Sequence, residues 1–214
     1  MHPCQFSTSS DLIEAIERYY PIGGLQERQN HIGFENLENM IIRKITAAND
    51  KQPAEWFALV EGIRREWKEH EVRNLASRSF PSYQASVLIS KTITSRLQAW
   101  TVLTLSLSLL IPYFTFYMRE KRILIKQTGE TKQRYIISEG QYQPKSIEEK
   151  IDLLSTLVRK HYPHYKLAHG HYLLNVKVKY RIAYGGSSWH LGEGVLYDYL
   201  IGNEMTGIEF STKI

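Results

Sequence analysis

The stretch RLQAWTVLTLSLSLLIPYFTFYMR, residues 96–119, decides the fold, and it holds no charged residue between Arg96 and Arg119. A run of this length is long enough to cross a bilayer as a helix. Its polar and apolar side chains alternate, however, which is the period of a strand with two different faces. The alternating residues are Thr104, Ser106 and Ser108 on one side and Leu103, Leu105 and Leu107 on the other. Because Pro112 lacks the N–H that a sheet ladder needs, we predict two strands, or one strand bent at Pro112, and no membrane partner.

Composition places the chain among cytosolic globular proteins. Hydrophobic residues make up 43% and charged residues 23% of the 214 residues, which supplies enough apolar material for a core. The formal net charge of +5 favours acidic partners but falls short of that of a nucleic-acid-binding tail. The single cysteine, Cys4, excludes an internal disulfide framework and fits a reducing compartment. Residues 1–16 lack a basic segment followed by an apolar one, so no secretory signal is expected and the predicted location is cytoplasmic.

The residues before the central run are predicted to be helical. Ser10 or Asp11 can cap a first helix, and apolar spacing predicts a second helix over 34–48. Pro53 suits the opening turn of a third helix. One stripe of that helix is predicted to face the core, and it consists of Trp56, Val60, Ile63 and Trp67. Residues 1–80 are therefore predicted to form a helical N-terminal part.

The residues after this part are predicted to form a sheet with further helices. Period-two alternation begins at Tyr83, and a short connection around Gly129 joins two β-rich runs as a hairpin. Ser146 and Glu149 form a capping box, which opens a helix. Alternation then returns over 174–182 and predicts a further strand.

Together these elements predict an α+β fold. A helical N-terminal part, residues 1–80, is followed by an antiparallel β-sheet (a meander) with one or two packed helices, residues 81–214. The two parts are predicted to be separate units or one continuous domain. Residues 195–201 fit a short helix and a strand equally well.

Four histidines lie close together in the stretch HYPHYKLAHGHY. They are His161, His164, His169 and His171. Neutral imidazole is a common zinc ligand, so this cluster suggests a metal-assisted hydrolase as an alternative function. The spacing argues against a metal site, because no cysteine lies near and Pro163 and Gly170 indicate a loop. The histidines are therefore kept as candidate ligands, and no metal or cofactor is predicted.

Basic side chains alternate along the predicted strand over 174–182. Lys177, Lys179 and Arg181 are expected to share one face, where they can dock an acidic protein surface. Basic residues interleaved with tyrosines also bind single-stranded nucleic acid, so a nucleic-acid-binding module is a further alternative. A solvated sheet face produces the same alternation without any ligand.

Nucleophile-type residues occur in GSSWHLGEG, residues 186–194. They are Ser187, Ser188, His190 and Glu193. A catalytic triad needs its members to converge in space, which neighbours in sequence seldom do, and the chain has no GxSxG elbow. Cys4 has no activating neighbour other than His2. No catalytic residue is therefore assigned, and an enzyme is the less favoured class.

Aromatic residues are abundant, with 14 tyrosines, 7 phenylalanines and 4 tryptophans. Alternation places Tyr113 and Tyr117 opposite Phe114 and Phe116, so these tyrosines are expected at the surface. Surface tyrosine beside arginine and lysine is typical of protein interfaces. We therefore predict a non-catalytic bacterial protein that binds an acidic protein, either as a toxin-neutralising (immunity-type) partner or as an adaptor or scaffold in a multi-protein assembly. The predicted contact residues are Tyr113, Tyr117, Lys177, Lys179 and Arg181.

Overall fold

The chain builds helices first and then a sheet with further helices. The computed structural model describes residues 9–50, 53–77, 79–125, 131–138, 145–181, 183–184 and 194–202. The helices are α1 (Ser9–Tyr19), α2 (Leu25–Gln29), α3 (Ile32–Asp50), α4 (Ala54–Glu66), α5 (Lys145–His161), α6 (Gly170–Asn175) and α7 (Leu196–Leu200). The strands are β1 (Val72–Asn74), β2 (Ser82–Ile93), β3 (Leu97–Ser108), β4 (Tyr113–Ile125), β5 (Thr131–Ser138) and β6 (Lys166–Leu167). The predicted α+β fold is confirmed.

The central run forms the antiparallel pair of β3 and β4. Its register runs from Leu97 opposite Leu124 to Leu107 opposite Phe114, and Pro112 lies in the connection. Strands β1 to β5 neighbour one another in chain order, all antiparallel, and β6 joins the start of β4 in parallel. The predicted hairpin and meander are confirmed. Within the described residues, no helix combines the length and the apolar content that crossing a membrane requires.

One face of the sheet packs against α4 and α5. The residues of β3 buried on this face are Leu103, Leu105 and Leu107. The Trp56 ring of α4 stacks on Tyr83 with 5.1 Å between ring centroids, and its Nε1 donates a hydrogen bond of 3.1 Å to Asn74 Oδ1. The predicted core-facing stripe of this helix is confirmed, because Trp56, Val60, Ile63 and Trp67 are all buried. The aliphatic half of the alternation therefore faces a core.

The opposite, polar face of the sheet is buried as well. Its buried polar residues are Ser82, Gln84, Ser86, Thr104, Ser106, Ser108 and Thr115. Residues of α1, α3 and α7 form the apolar cluster on this side, and Tyr113 and Tyr117 of β4 belong to it. Ser82 Oγ donates a hydrogen bond of 2.5 Å to the carbonyl oxygen of Ile201, which follows α7. The base of the sheet is therefore covered by helices on both sides.

Beyond this base the strands continue without a helical cover. None of the residues 88–102 and 119–125 is buried. β5 pairs with the outer part of β4, from Met118 opposite Ser138 to Ile125 opposite Thr131. We call this part the sheet extension, and it consists of residues 90–102 and 119–125 together with β5.

The predicted strand over 174–182 is wrong for the residues that the structure describes. Helix α6 continues to Asn175, and Lys177 forms an isolated β-bridge with Val195. The segment 195–201, which sequence left open, is helical over Leu196–Leu200. The short helices α2 and α6 were missed because five or six residues are too few to display a helical period.

Candidate protein-docking surface

Tyr113 and Tyr117 do not lie on the surface. These residues are 7% and 2% exposed, so the expectation that alternation places them at the surface is wrong. The ring of Tyr117 meets that of Tyr197 of α7 edge to face, with 5.4 Å between centroids. The physical reason is that helices cover the polar face of the sheet at this level, so both halves of the alternation are buried.

The four candidate histidines are spread over two helices and a turn. His161 ends α5, His164 is exposed in the following turn, and His169 precedes α6. His171 lies within α6, and its side chain is not among those described. Among the described residues, no group of three His, Cys, Asp or Glu side chains is placed to hold a metal ion. The hydrolase interpretation therefore gains no support from this region.

The basic residues of 177–181 do not share one face. Lys177 and Lys179 are exposed, whereas Arg181 is 8% exposed and forms an ion pair of 3.4 Å with Glu17 of α1. The predicted alternation is wrong at Arg181 because the main chain bends at Tyr180, which has a φ of 60°. The bend turns Arg181 inward and leaves Tyr180 66% exposed.

Two further sequence candidates fall outside the described part of the chain. They are Cys4 and the stretch that carries Ser187, Ser188, His190 and Glu193. Gly194, at the end of that stretch, is described, and its carbonyl oxygen accepts a hydrogen bond of 2.8 Å from the Val178 N–H. What the sequence predicts for Cys4 and residues 187–193 stays a prediction.

Positive charge is concentrated in one segment of the chain. Residues 90–138 contain eight of the 27 lysines and arginines but only two of the 22 aspartates and glutamates. Their formal net charge of +6 exceeds the +5 of the whole chain, so the other residues together are close to neutral. Residues 103–118, which belong to the covered base of the sheet, carry none of these charges. Among the described residues of this segment, the excess charge therefore lies beyond the covered base of the sheet.

One face of the sheet extension carries a tryptophan between two lysines. Lys91, Trp100 and Lys121 are direct cross-strand neighbours on β2, β3 and β4. The ammonium group of Lys121 lies 5.9 Å from the centroid of the Trp100 ring, within the range of a cation–π contact. Cross-strand pairing and alternation place further residues of β2, β3 and β4 on the same face, on either side of the row that Lys91, Trp100 and Lys121 form. We call this surface the docking face, and it consists of Lys91, Ile93, Gln98, Trp100, Val102, Arg119, Lys121 and Ile123.

The two faces of the sheet extension differ in charge. Glu120 and Arg122 lie on the face opposite the docking face, where Arg122 donates hydrogen bonds of 2.7 and 2.8 Å to the two carboxylate oxygens. This pairing raises the pKa of Arg122 above its ordinary value. The docking face has three basic positions and no acidic one among its described residues. Among the residues of β2, β3 and β4 it is therefore the more cationic face.

The chain matches no family model, no curated protein and no solved structure. Function must therefore be argued from an α+β fold whose sheet continues as an uncovered, cationic extension. Sequence reasoning missed this surface, although a signal was present. Counting charge over segments rather than over the whole chain separates residues 90–138 from the rest.

Proposed function

We propose that this protein is a non-catalytic binding protein that docks an acidic protein on its docking face. The observation that carries the proposal is the separation of charge, a formal +6 in residues 90–138 against a nearly neutral remainder. A surface of one sign attracts a partner of the opposite sign, speeds their encounter and excludes partners of like charge.

The make-up of the docking face favours a protein over a nucleic acid as the partner. Trp100, Val102 and Ile123 supply apolar area, and Lys91, Arg119 and Lys121 lie around them. An apolar and aromatic centre with charged residues at its rim is the anatomy of a protein interface, where tryptophan and arginine carry much of the binding energy.

Two roles fit such a surface in the proposed cytoplasmic, bacterial setting. A toxin-neutralising partner forms a tight complex with one protein and blocks its activity. An adaptor or scaffold component joins two or more proteins of an assembly without inhibiting them. The stoichiometry of the isolated complex separates these roles.

The test is affinity capture from the source organism with matched charge-reversal variants. The Lys91→Glu/Lys121→Glu variant reverses two charges of the docking face. The control, Arg65→Glu/Lys68→Glu, reverses two exposed charges at the end of α4 and just after it. We expect an acidic protein that the wild type and the control retain and that the docking-face variant loses.

The retained protein is then purified and its affinity measured directly. We expect the docking-face variant to bind at least about tenfold more weakly and the wild-type affinity to fall as salt rises, because exposed charges are screened. Equal affinity of all three chains would overturn the proposal. So would retained material that nuclease removes, together with binding of a labelled single-stranded RNA that the docking-face variant abolishes, because the partner would then be nucleic acid.

A further inference from the structure

Tyr180 has a main-chain conformation that tyrosine rarely adopts. Its φ is 60°, and among the described residues it is the one non-glycine residue with a positive φ. In this region the Cβ atom is crowded by the main chain, so glycine and asparagine are the usual residues there. The side chain is also 66% exposed, so its ring gains little from burial.

The bend at Tyr180 is held by groups other than the tyrosine ring. The N–H of Gly23 donates a hydrogen bond of 2.8 Å to the carbonyl oxygen of Tyr180. One residue later, the Tyr199 hydroxyl donates 2.7 Å to the carbonyl oxygen of Arg181, whose guanidinium pairs with Glu17. All of these contacts would remain with glycine at position 180. The fold therefore accounts for the bend but does not require a tyrosine ring there.

The bend places the ring beside two exposed lysines. Lys177 and Lys179 are exposed, and the described residues 175–181 include no acidic one. A regular alternation would have turned Tyr180 inward together with the half-buried Val176 and Val178. The positive φ instead leaves the ring exposed, so that an aromatic side chain and two ammonium groups reach solvent within residues 177–180. We call Lys177, Lys179 and Tyr180 the tyrosine loop.

We propose that the tyrosine loop is a second contact for the acidic protein that the docking face binds, with Tyr180 as its anchor. This inference rests on the proposed function. Tyrosine is enriched among the residues that dominate binding energy, because it buries a large ring at a small entropic cost. The two lysines would pair with carboxylates of the acidic partner that lie around the bound ring. Such pairing makes the two surfaces complementary in charge. The strained conformation is retained for binding and not for stability.

Substitutions at Tyr180 separate stability from binding. Tyr180→Gly is expected to raise the midpoint of thermal unfolding by about 2–4 °C, because it removes the strain of a positive φ. The same variant is expected to bind at least about tenfold more weakly to the purified acidic protein that the wild type captures. Tyr180→Phe keeps the ring and is expected to retain wild-type affinity. Lys177→Glu/Lys179→Glu is expected to weaken binding and to reduce its dependence on salt.

Phe57→Ala serves as the matched control, because Phe57 is an exposed aromatic residue on α4, with 53% exposure, outside both proposed contacts. If Tyr180→Gly binds like the wild type while Lys91→Glu/Lys121→Glu does not, the tyrosine loop is overturned and the proposed function stands. If Tyr180→Gly unfolds at a lower temperature than the wild type, the ring is structural and the inference is also overturned. A capture that retains no protein overturns both proposals.

Discussion

The buried ammonium group of Lys44 in α3 donates a hydrogen bond of 2.9 Å to the carbonyl oxygen of Ser82 at the start of β2. A second hydrogen bond, of 2.6 Å, reaches the carbonyl oxygen of Phe80. Lys44 is 2% exposed, and burial lowers its pKa from 10.5 to about 7, because apolar surroundings disfavour the charged form. A titratable group thus joins the N-terminal helical layer to the sheet.

The lowered pKa of Lys44 predicts that stability rises with pH from about 7 toward 10. In this window the unfolded chain binds a proton that the folded protein does not, so the free energy of unfolding increases, by at most about 1.4 kcal/mol per pH unit. Burial raises the pKa values of Tyr20 and Tyr197 well above 10.0, so their contribution to stability falls only above pH 10. Urea unfolding between about pH 6 and 9.5 therefore covers the window of the lysine and stays below that of these tyrosines.

Lys44→Met is the variant that tests this pH dependence. Methionine keeps an unbranched side chain but cannot titrate, so the slope of stability against pH is expected to flatten. Lys68→Met, at an exposed position after α4, is the control and should keep the wild-type slope. A slope in Lys44→Met equal to that of the wild type would assign the dependence to other groups.

Trp56 and Phe57 are adjacent on α4 but have opposite environments. Trp56 is fully buried, whereas Phe57 is 53% exposed. Trp56→Ala is expected to lower the free energy of unfolding by about 3–5 kcal/mol, because it leaves a cavity against Tyr83 and removes the hydrogen bond to Asn74 Oδ1. Phe57→Ala should change it by less than about 0.5 kcal/mol. Chemical denaturation measures the free energy of unfolding of both variants. Similar losses of stability would contradict the placement of α4.

Gly33 and Gly62 both lie in helices, but substitution by alanine is expected to have opposite effects on stability at the two positions. A Cβ atom on Gly33 would lie 1.9 Å from the carbonyl oxygen of Arg18, so Gly33→Ala must push α1 away from α3 and is expected to cost about 1–3 kcal/mol. A Cβ atom on Gly62 would lie 3.6 Å from Leu157, which is ordinary contact. Gly62→Ala should therefore stabilise the protein by about 0.5–1 kcal/mol, because alanine is the better helix former. Thermal unfolding of the pair would refute this account if both changes had the same sign.

Trp100 and Leu124 lie on opposite faces of the sheet extension. Trp100 is half-buried and Leu124 is 47% exposed, so neither alanine variant is expected to lose more than about 1 kcal/mol of stability. Trp100→Ala is expected to weaken binding of the captured acidic protein by about 2 kcal/mol or more, as loss of a central aromatic anchor does. Leu124→Ala should leave that affinity unchanged. Titration calorimetry measures both, and an equal loss in the two variants would remove Trp100 as the anchor.

Part of the structure follows from the sequence alone. Period-two alternation on both sides of Pro112 was enough to predict strand structure there, because a helix would place alternate residues on different sides, and the structure shows two strands, β3 and β4, paired with each other. The helical stripe of Trp56, Val60, Ile63 and Trp67 likewise identified the core face of α4. The clustering of charge in residues 90–138 is also a property of the sequence, although the net charge of the whole chain conceals it.

The tertiary structure decided which residues reach the surface. Alternation shows that two faces of a strand differ in polarity, but it does not show which face a distant segment will cover. Tyr113 and Tyr117 are buried because α1, α3 and α7 pack over the polar face, whereas Trp100, on the same face of the same sheet, lies beyond these helices. Arg181 turns inward because one main-chain dihedral angle, φ of Tyr180, reverses the alternation. Both outcomes depend on contacts between segments far apart in the chain, such as Tyr117 with Tyr197 and Arg181 with Glu17, and no local pattern encodes them.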